Sequence, residues 1–139
     1  MTDKGHRTVP HTADLRIEAW AESRDECLIQ ALRGLIDSFA HVKGAPAVRI
    51  VERPVMADGA ADLLALAAEE IIYLLDAEGE IPVSVQMRSA AGGVVLVFAL
   101  AAADAFEITG AVPKAITLHG LCCEPDATGR WSATRTVDV

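Results

Sequence analysis

Residues 13–20 alternate: Ala13, Leu15, Ile17 and Ala19 fall on one side, Asp14, Arg16, Glu18 and Trp20 on the other. A period of two with one apolar side predicts a half-buried strand. Directly after it stands Ser23-Arg24-Asp25-Glu26. A serine hydroxyl and a glutamate carboxylate at this spacing can each satisfy a backbone N–H left unpaired at a helix start. Leu28, Ala31, Leu32, Leu35, Ile36 and Phe39 then recur at helical spacing. A helix is therefore expected, with one apolar stripe that must cover a sheet or another helix.

Residues 48–55 have the composition of a strand, and Pro54 cannot donate to a ladder. This strand is expected at a sheet edge, or to end near the proline. From Asp58 or Asp62 to Glu78 a second helix is apolar almost all round, through Leu63, Leu64, Leu66, Ile71, Ile72, Leu74 and Leu75, and Gly79 supplies its stop. It is expected to be the more buried of the two helices. Residues 82–88 and 94–100 form a hairpin about Ala90-Ala91-Gly92-Gly93. Residues 115–123 and 131–139 pair across the turn-rich Glu124-Pro125-Asp126-Ala127-Thr128-Gly129-Arg130. The order β-α-β-α followed by four strands predicts an α+β fold, two helices packed on a mixed, largely antiparallel β-sheet.

Length and composition narrow this picture. The 139 residues suit one domain, 1–139, with a sizeable core. No apolar run reaches the roughly 20 residues that cross a bilayer. The polar start Met1-Thr2-Asp3-Lys4-Gly5-His6-Arg7 leads to no signal core, so a cytoplasmic protein is expected, with no membrane partner. A formal net charge of −8 opposes direct binding to a phosphate backbone; any role near RNA is expected to pass through another protein. Cys27, Cys122 and Cys123 lack a Cys-x-x-Cys spacing and read as reduced, mostly buried thiols.

The common nucleotide, hydrolase and metalloprotease signatures are missing from the chain. What remains lies near the two ends: Val9-Pro10-His11-Thr12-Ala13-Asp14 and Arg135-Thr136-Val137-Asp138-Val139. Asp14 belongs to the polar side of the first strand, and Asp138 to the Ser132-Thr134-Thr136 side of the last. If those strands come together, two carboxylates meet a carbonyl or carboxylate of Val139, and like charges that close need a counter-ion. An all-oxygen set favours calcium or magnesium over zinc. On spacing alone, the more common behaviour is for Asp14 to cap a turn and Asp138 to fray with the terminus. A zinc site from His11, His119 and Cys122 or Cys123 has no recognisable ligand spacing behind it. Lys114 can contact an acidic partner or simply be solvated. The run Asp76-Ala77-Glu78-Gly79-Glu80 reads as a solvated helix end.

Taken together, His11-Thr12-Ala13-Asp14-Leu15-Arg16-Ile17, Lys114-Ala115-Ile116-Thr117-Leu118-His119 and the ending with Trp131, Val137, Asp138 and Val139 resemble the archease family. The three motifs match its His-Thr-Ala-Asp strand, its Lys-Ala-Val-Thr-Tyr-His segment and its Trp-x-Ala and terminal Asp-Val, in order over nearly the whole chain. The resemblance implies an accessory factor, with no catalysis of its own, that promotes guanylylation and multiple turnover of an RtcB-type RNA ligase in tRNA splicing or RNA repair. It implies a divalent-metal site, calcium or magnesium, at Asp14, Asp138 and Val139. It also implies partner contacts at His11 and Lys114, with RNA met only indirectly. The chain departs from the family at Ala67-Ala68-Glu69-Glu70-Ile71-Ile72-Tyr73, where a Trp-Leu-Asn-Glu-Leu-Leu-Tyr run is common and its tryptophan was expected to face a partner. Two alternatives stand beside this reading: a chaperone-like protein-binding module, and a metal-dependent enzyme in its own right. The latter lacks an evident base or nucleophile.

Overall fold

A computed structural model describes residues 3–11, 14–42, 44–108 and 112–138. The chain runs β1 (Gly5–His11), β2 (Asp14–Ala21), α1 (Arg24–Asp37), β3 (Arg49–Met56), α2 (Ala60–Tyr73), β4 (Glu80–Ala90), β5 (Gly93–Ala102), β6 (Ala115–Pro125) and β7 (Trp131–Asp138). A π-helical turn, Leu74–Glu78, extends α2. The α+β class with two helices on largely antiparallel β structure holds. The strands, however, are divided between two sheets, ordered β1-β2-β7-β6 and β3-β5-β4, and every pairing described is antiparallel. The β3-α2-β4 unit does bring β4 back in the direction of β3. The two do not pair, because β5 lies between them, so the mixed character expected of the sheet is not seen among the described pairings.

Strand β1 carries no apolar alternation and was not foreseen. His6 stands opposite Ala19, a buried position of β2. Its ring nitrogens lie 2.9 Å from Gln30 Oε1 and 2.7 Å from Asp37 Oδ2 on α1. Hydrogen bonds, not hydrophobic side chains, hold β1 to the helix here, so a period-two search passes over it. Strand β2 behaves as expected: Ile17, Ala19 and Ala21 are buried and Arg16 is exposed.

At the start of α1, Ser23 Oγ accepts the Glu26 backbone N–H at 3.2 Å, while the Glu26 carboxylate takes Lys4 Nζ at 3.2 Å. The burial of the helices reverses the expectation. Eight of 14 residues are buried in α1 and six of 14 in α2. Helix α1 packs against strands of both sheets, β2, β1 and β7 on one side and β4 on the other. Helix α2 covers β6 and β3 and leaves Leu66 and Tyr73 exposed. Ala67, at the family's tryptophan position, is buried in the core. The π-helical turn ends where predicted: Gly79 takes φ 63°, a left-handed value that glycine adopts without a Cβ penalty.

One hydrophobic core draws on both sheets and both helices, with Leu28, Leu32, Leu35, Leu63, Leu64, Ile71, Leu96 and Phe98 among its members. Strand β3 lies at a sheet edge, as Pro54 predicted. Its far end closes tightly on β5, where a Cβ at Gly93 would come within 2.0 Å of the Val55 carbonyl oxygen. The β6–β7 turn is organised by Asp126, whose Oδ1 accepts from Thr128 N at 2.8 Å, Thr128 Oγ1 at 2.6 Å and Arg130 N at 3.1 Å. Among the described residues no helix is long and apolar enough to cross a membrane.

Candidate functional site

The four-stranded sheet brings both ends of the chain into one row. His11 faces Asp14 across β1–β2, Asp14 faces Asp138 across β2–β7, and Asp138 faces Ala115 across β7–β6. Lys114, exposed, immediately precedes that row. Residues more than a hundred positions apart in sequence thus become direct neighbours because β2 and β7 pair. Val139 and the side chains of His11, Asp14 and Asp138 lie outside what the structure describes. The backbone register alone still carries a physical point. Like charges at directly opposed positions of an antiparallel pair destabilise it, and two aspartates are opposed here.

The neighbouring rows resolve their charges differently. Glu18 is gripped by Arg7 Nε at 2.8 Å and by Arg16 Nη2 at 3.2 Å. The Arg7 hydrogen bond, aided by Arg16 and opposed by desolvation, holds its carboxyl below the usual carboxylate range. One row further on, Trp20 lies under two guanidinium groups, Arg7 at 5.8 Å and Arg130 at 5.6 Å from the ring centroid. Arg130 also pairs Asp3 at 2.9 Å. Away from the terminal row, then, Glu18 and Asp3 each meet a cation. The opposed Asp14 and Asp138 positions have the right residue types and register for a hard divalent cation, which prefers carboxylate and carbonyl oxygens. Among the described residues no group of three or more His, Cys, Asp or Glu is placed to hold a metal, and the candidate ligands are not among those side chains. The zinc alternative falls in part outside as well: the side chain of His119 is not described, while Cys27 and Cys123 are buried thiols and Cys122 is half-buried.

Beneath the row lies a feature that motif reading passed over. Arg135 alternates with Ala133 and Val137 on the inward face of β7 and is 0% exposed. Its Nη2 donates to the Ala31 carbonyl of α1, and among the described residues nothing accepts from Nε or Nη1. Burial pushes its pKa down to about 9, which leaves it charged at neutral pH. The period-two pattern of β7 marks the position as inward; nothing in the local sequence says that an arginine there goes fully inside. Opposite it, β6 departs from the ladder: the register shifts between Thr117 and Cys122.

Surface clefts lie elsewhere, two of them beside the helices. One, of about 460 Å³, separates the C-terminal half of α1 from the β4 edge and is lined by Arg33, Asp37, His41 and Val85 among others. The second, of about 590 Å³, runs between β3 and α2, with Arg53, Met56, Leu66, Glu70 and Tyr73 on its walls. Neither includes Lys114.

Comparison with known proteins follows from this geometry. The sequence profile of the archease protein family (MTH1598/TM1083) matches residues 6–139. Proteins named probable protein archease from two strains of Mycobacterium tuberculosis are 47% identical over 138 residues, covering 99% of this chain and 76% of each relative. Among solved structures, Methanobacterium thermoautotrophicum protein 1598 superposes with a TM-score of 0.77 at 17% identity, over 97% of this chain and 99% of that one. A Thermotoga maritima archease, described as a possible chaperone, gives 0.66 at 20% identity over 96% of both chains. The two structures speak for the fold, and the family match and the mycobacterial identity for descent: the chain belongs to the archease family.

Proposed function

We propose that this protein is an accessory factor of an RtcB-type RNA ligase in the cytoplasm, promoting the ligase's guanylylation and repeated turnover while performing no ligation itself. The observation that supports the reading is the terminal row, in which His11, Asp14, Asp138 and the residue after Lys114 are consecutive across four strands. In this reading Asp14, Asp138 and a backbone oxygen of Val139 hold a calcium or magnesium ion. The bound cation supplies charge neutralisation between opposed carboxylates. His11 and Lys114 flank it as contacts for the ligase. The sheet beneath, closed by the buried face of β2 and β7, keeps that row in register whether or not a partner is present. RNA is met only through the ligase, in keeping with the net charge of −8.

The test is a guanylylation and ligation assay with the cognate ligase, itself active but slow. The protein alone should show no ligase or nucleotidyl-transfer activity, and adding it should raise both guanylylation and turnover. Asp14→Ala and Asp138→Ala should diminish the gain without loss of fold. Absence of any gain across a range of protein concentrations, with calcium and magnesium present, would overturn the proposal.

A second reading, a chaperone-like binding module, is favoured by one observation. Met56, Leu66 and Tyr73 are exposed together on the walls of the cleft between β3 and α2, and clustered exposed apolar side chains mark protein-binding surfaces. Suppression of aggregation of unrelated unfolded proteins, undiminished in Asp14→Ala, would support that reading over the first.

A further inference from the structure

The sheet β3-β5-β4 has two outer strands, and they are not alike. Strand β3 carries Pro54 in its second half, and a proline has no N–H to offer a further strand. In β4 the proline, Pro82, stands near the start, where the register against β5 shifts between Pro82 and Ser84. From Ser84 to Ala90 the pairing is regular, and among the described residues the β4 backbone there has no hydrogen-bond partner beyond the ladder to β5. An outer strand in that state presents a row of donors and acceptors to any chain that lies beside it.

The cleft of about 460 Å³ between α1 and β4 runs along this edge. Consecutive strand residues, from Pro82 through Gln86, line it. Successive side chains of a strand point to opposite faces, so a cleft that meets them all follows the edge of the strand and not one face. Ile36, Val42 and Val85 line it as well, all three buried, and supply an apolar floor. Its charged and titratable lining is Arg33, Asp37 and His41. Asp37 is engaged by His6 at 2.7 Å. Arg33 is exposed and enters none of the ion pairs among the described residues. The charge left for a ligand is that of a guanidinium, whose fork of donors matches a carboxylate.

We propose that this cleft takes an extended acidic peptide segment of a partner protein, which adds to β4 as a further strand and sets a carboxylate against Arg33. The occupant is extended because only extended chain meets the strand edge at its own spacing of donors and acceptors. An apolar side chain of the segment rests on the floor at Val85, and the acidic one beside it reaches the α1 wall. The net charge of −8 opposes an acidic ligand at long range, but salt screens that field beyond about 8 Å at physiological ionic strength, and the local contact with Arg33 remains. The cleft lies at the other sheet from the terminal row, so the proposal does not rest on the ligase reading.

The test uses the full chain and three synthetic peptides: one alternating Val and Glu, one alternating Val and Lys, and the first again with its strand-facing amides N-methylated. Fluorescence anisotropy reads affinity, and backbone amide shifts read the site. The Val-Glu peptide should bind and shift amides of residues 84–88 and 33–42. The Val-Lys peptide should bind roughly tenfold more weakly, and the methylated peptide should not bind. Arg33→Glu, an exposed change, should weaken the Val-Glu peptide by roughly tenfold and improve the Val-Lys peptide. The proposal is overturned if the Val-Glu peptide fails to bind at millimolar concentration, binds no better than the Val-Lys peptide, tolerates methylation, or shifts amides elsewhere. It is equally overturned if sedimentation shows a dimer whose interface protects the β4 amides from exchange, since a second copy would then be the occupant.

Discussion

The two sheets of this molecule are built on opposite plans. The three-stranded sheet is apolar on its inward face: β4 and β5 form a hairpin, and Val94, Leu96, Phe98 and Leu100 of β5 all point into the core, while Arg49–Glu80 and Arg88–Glu52 pair at its surface. The four-stranded sheet is assembled from the two ends of the chain. Its outer face is laced with Arg7, Arg16, Glu18 and Arg130, and its inner face includes a buried arginine. The first sheet obtains its stability from packing. The second brings distant residues into register and holds the opposed Asp14 and Asp138 positions at its end. A difference of this kind teaches where to look for activity: the sheet that sets two aspartate positions directly opposite each other is the one to test for a ligand.

The contrast can be broken most forcefully in the apolar sheet. Phe98 is 0% exposed between Val51 and Val85, so Phe98→Ala should cost about 3–5 kcal/mol by lost burial and the cavity left behind. Urea denaturation reads this directly. A loss below 1 kcal/mol on the order-of-magnitude scale of ordinary surface substitutions would mean that the β5 core is not packed as described.

A smaller effect is expected at the helix that joins the sheets. Ser23→Ala removes the acceptor for the Glu26 N–H and should cost about 0.5–2 kcal/mol. An unchanged denaturation midpoint would argue against the cap.

The smallest effect belongs to the ionic face. Glu18→Gln should change stability by no more than about 1 kcal/mol at neutral pH, as for other exposed ion pairs. The sign of its pH dependence is set by the Arg7 and Arg16 contacts, which depress the folded pKa of Glu18. Its contribution is therefore present above the unfolded carboxylate range and is lost as pH falls through the lower folded value. Wild type and Glu18→Gln should converge in acid. A difference that grows on acidification would reverse the sign and sink this account of the face.

The same contrast governs what could be read before the structure was known. Both helices, the Ser23 cap, the Gly79 stop, the edge position of β3 and the β4–β5 hairpin were legible because each rests on local periodicity or turn chemistry. Strand β1 was not, since His6 reaches Gln30 and Asp37 through hydrogen bonds that leave no apolar pattern. The division into two sheets was not legible either, because strand order is set by contacts between distant segments. In the candidate site, His11, Asp14, Lys114, Asp138 and Val139 came from the terminal motifs and from the family resemblance. Their alignment in one row depended on the β2–β7 pairing, which no local signal reports. Arg135 was hidden for another reason: a charged side chain at an inward position is read as surface unless its surroundings are seen.

The central claim is that the row where the chain's ends meet binds a hard divalent cation. Titration calorimetry with calcium, repeated with magnesium, tests it most directly on wild type, Asp14→Ala, Asp138→Ala and Glu18→Gln. Binding is predicted in wild type and in Glu18→Gln, and should be lost in Asp14→Ala and Asp138→Ala while their circular dichroism stays native. Unchanged affinity in both aspartate variants, or no binding of either ion by wild type, would contradict it.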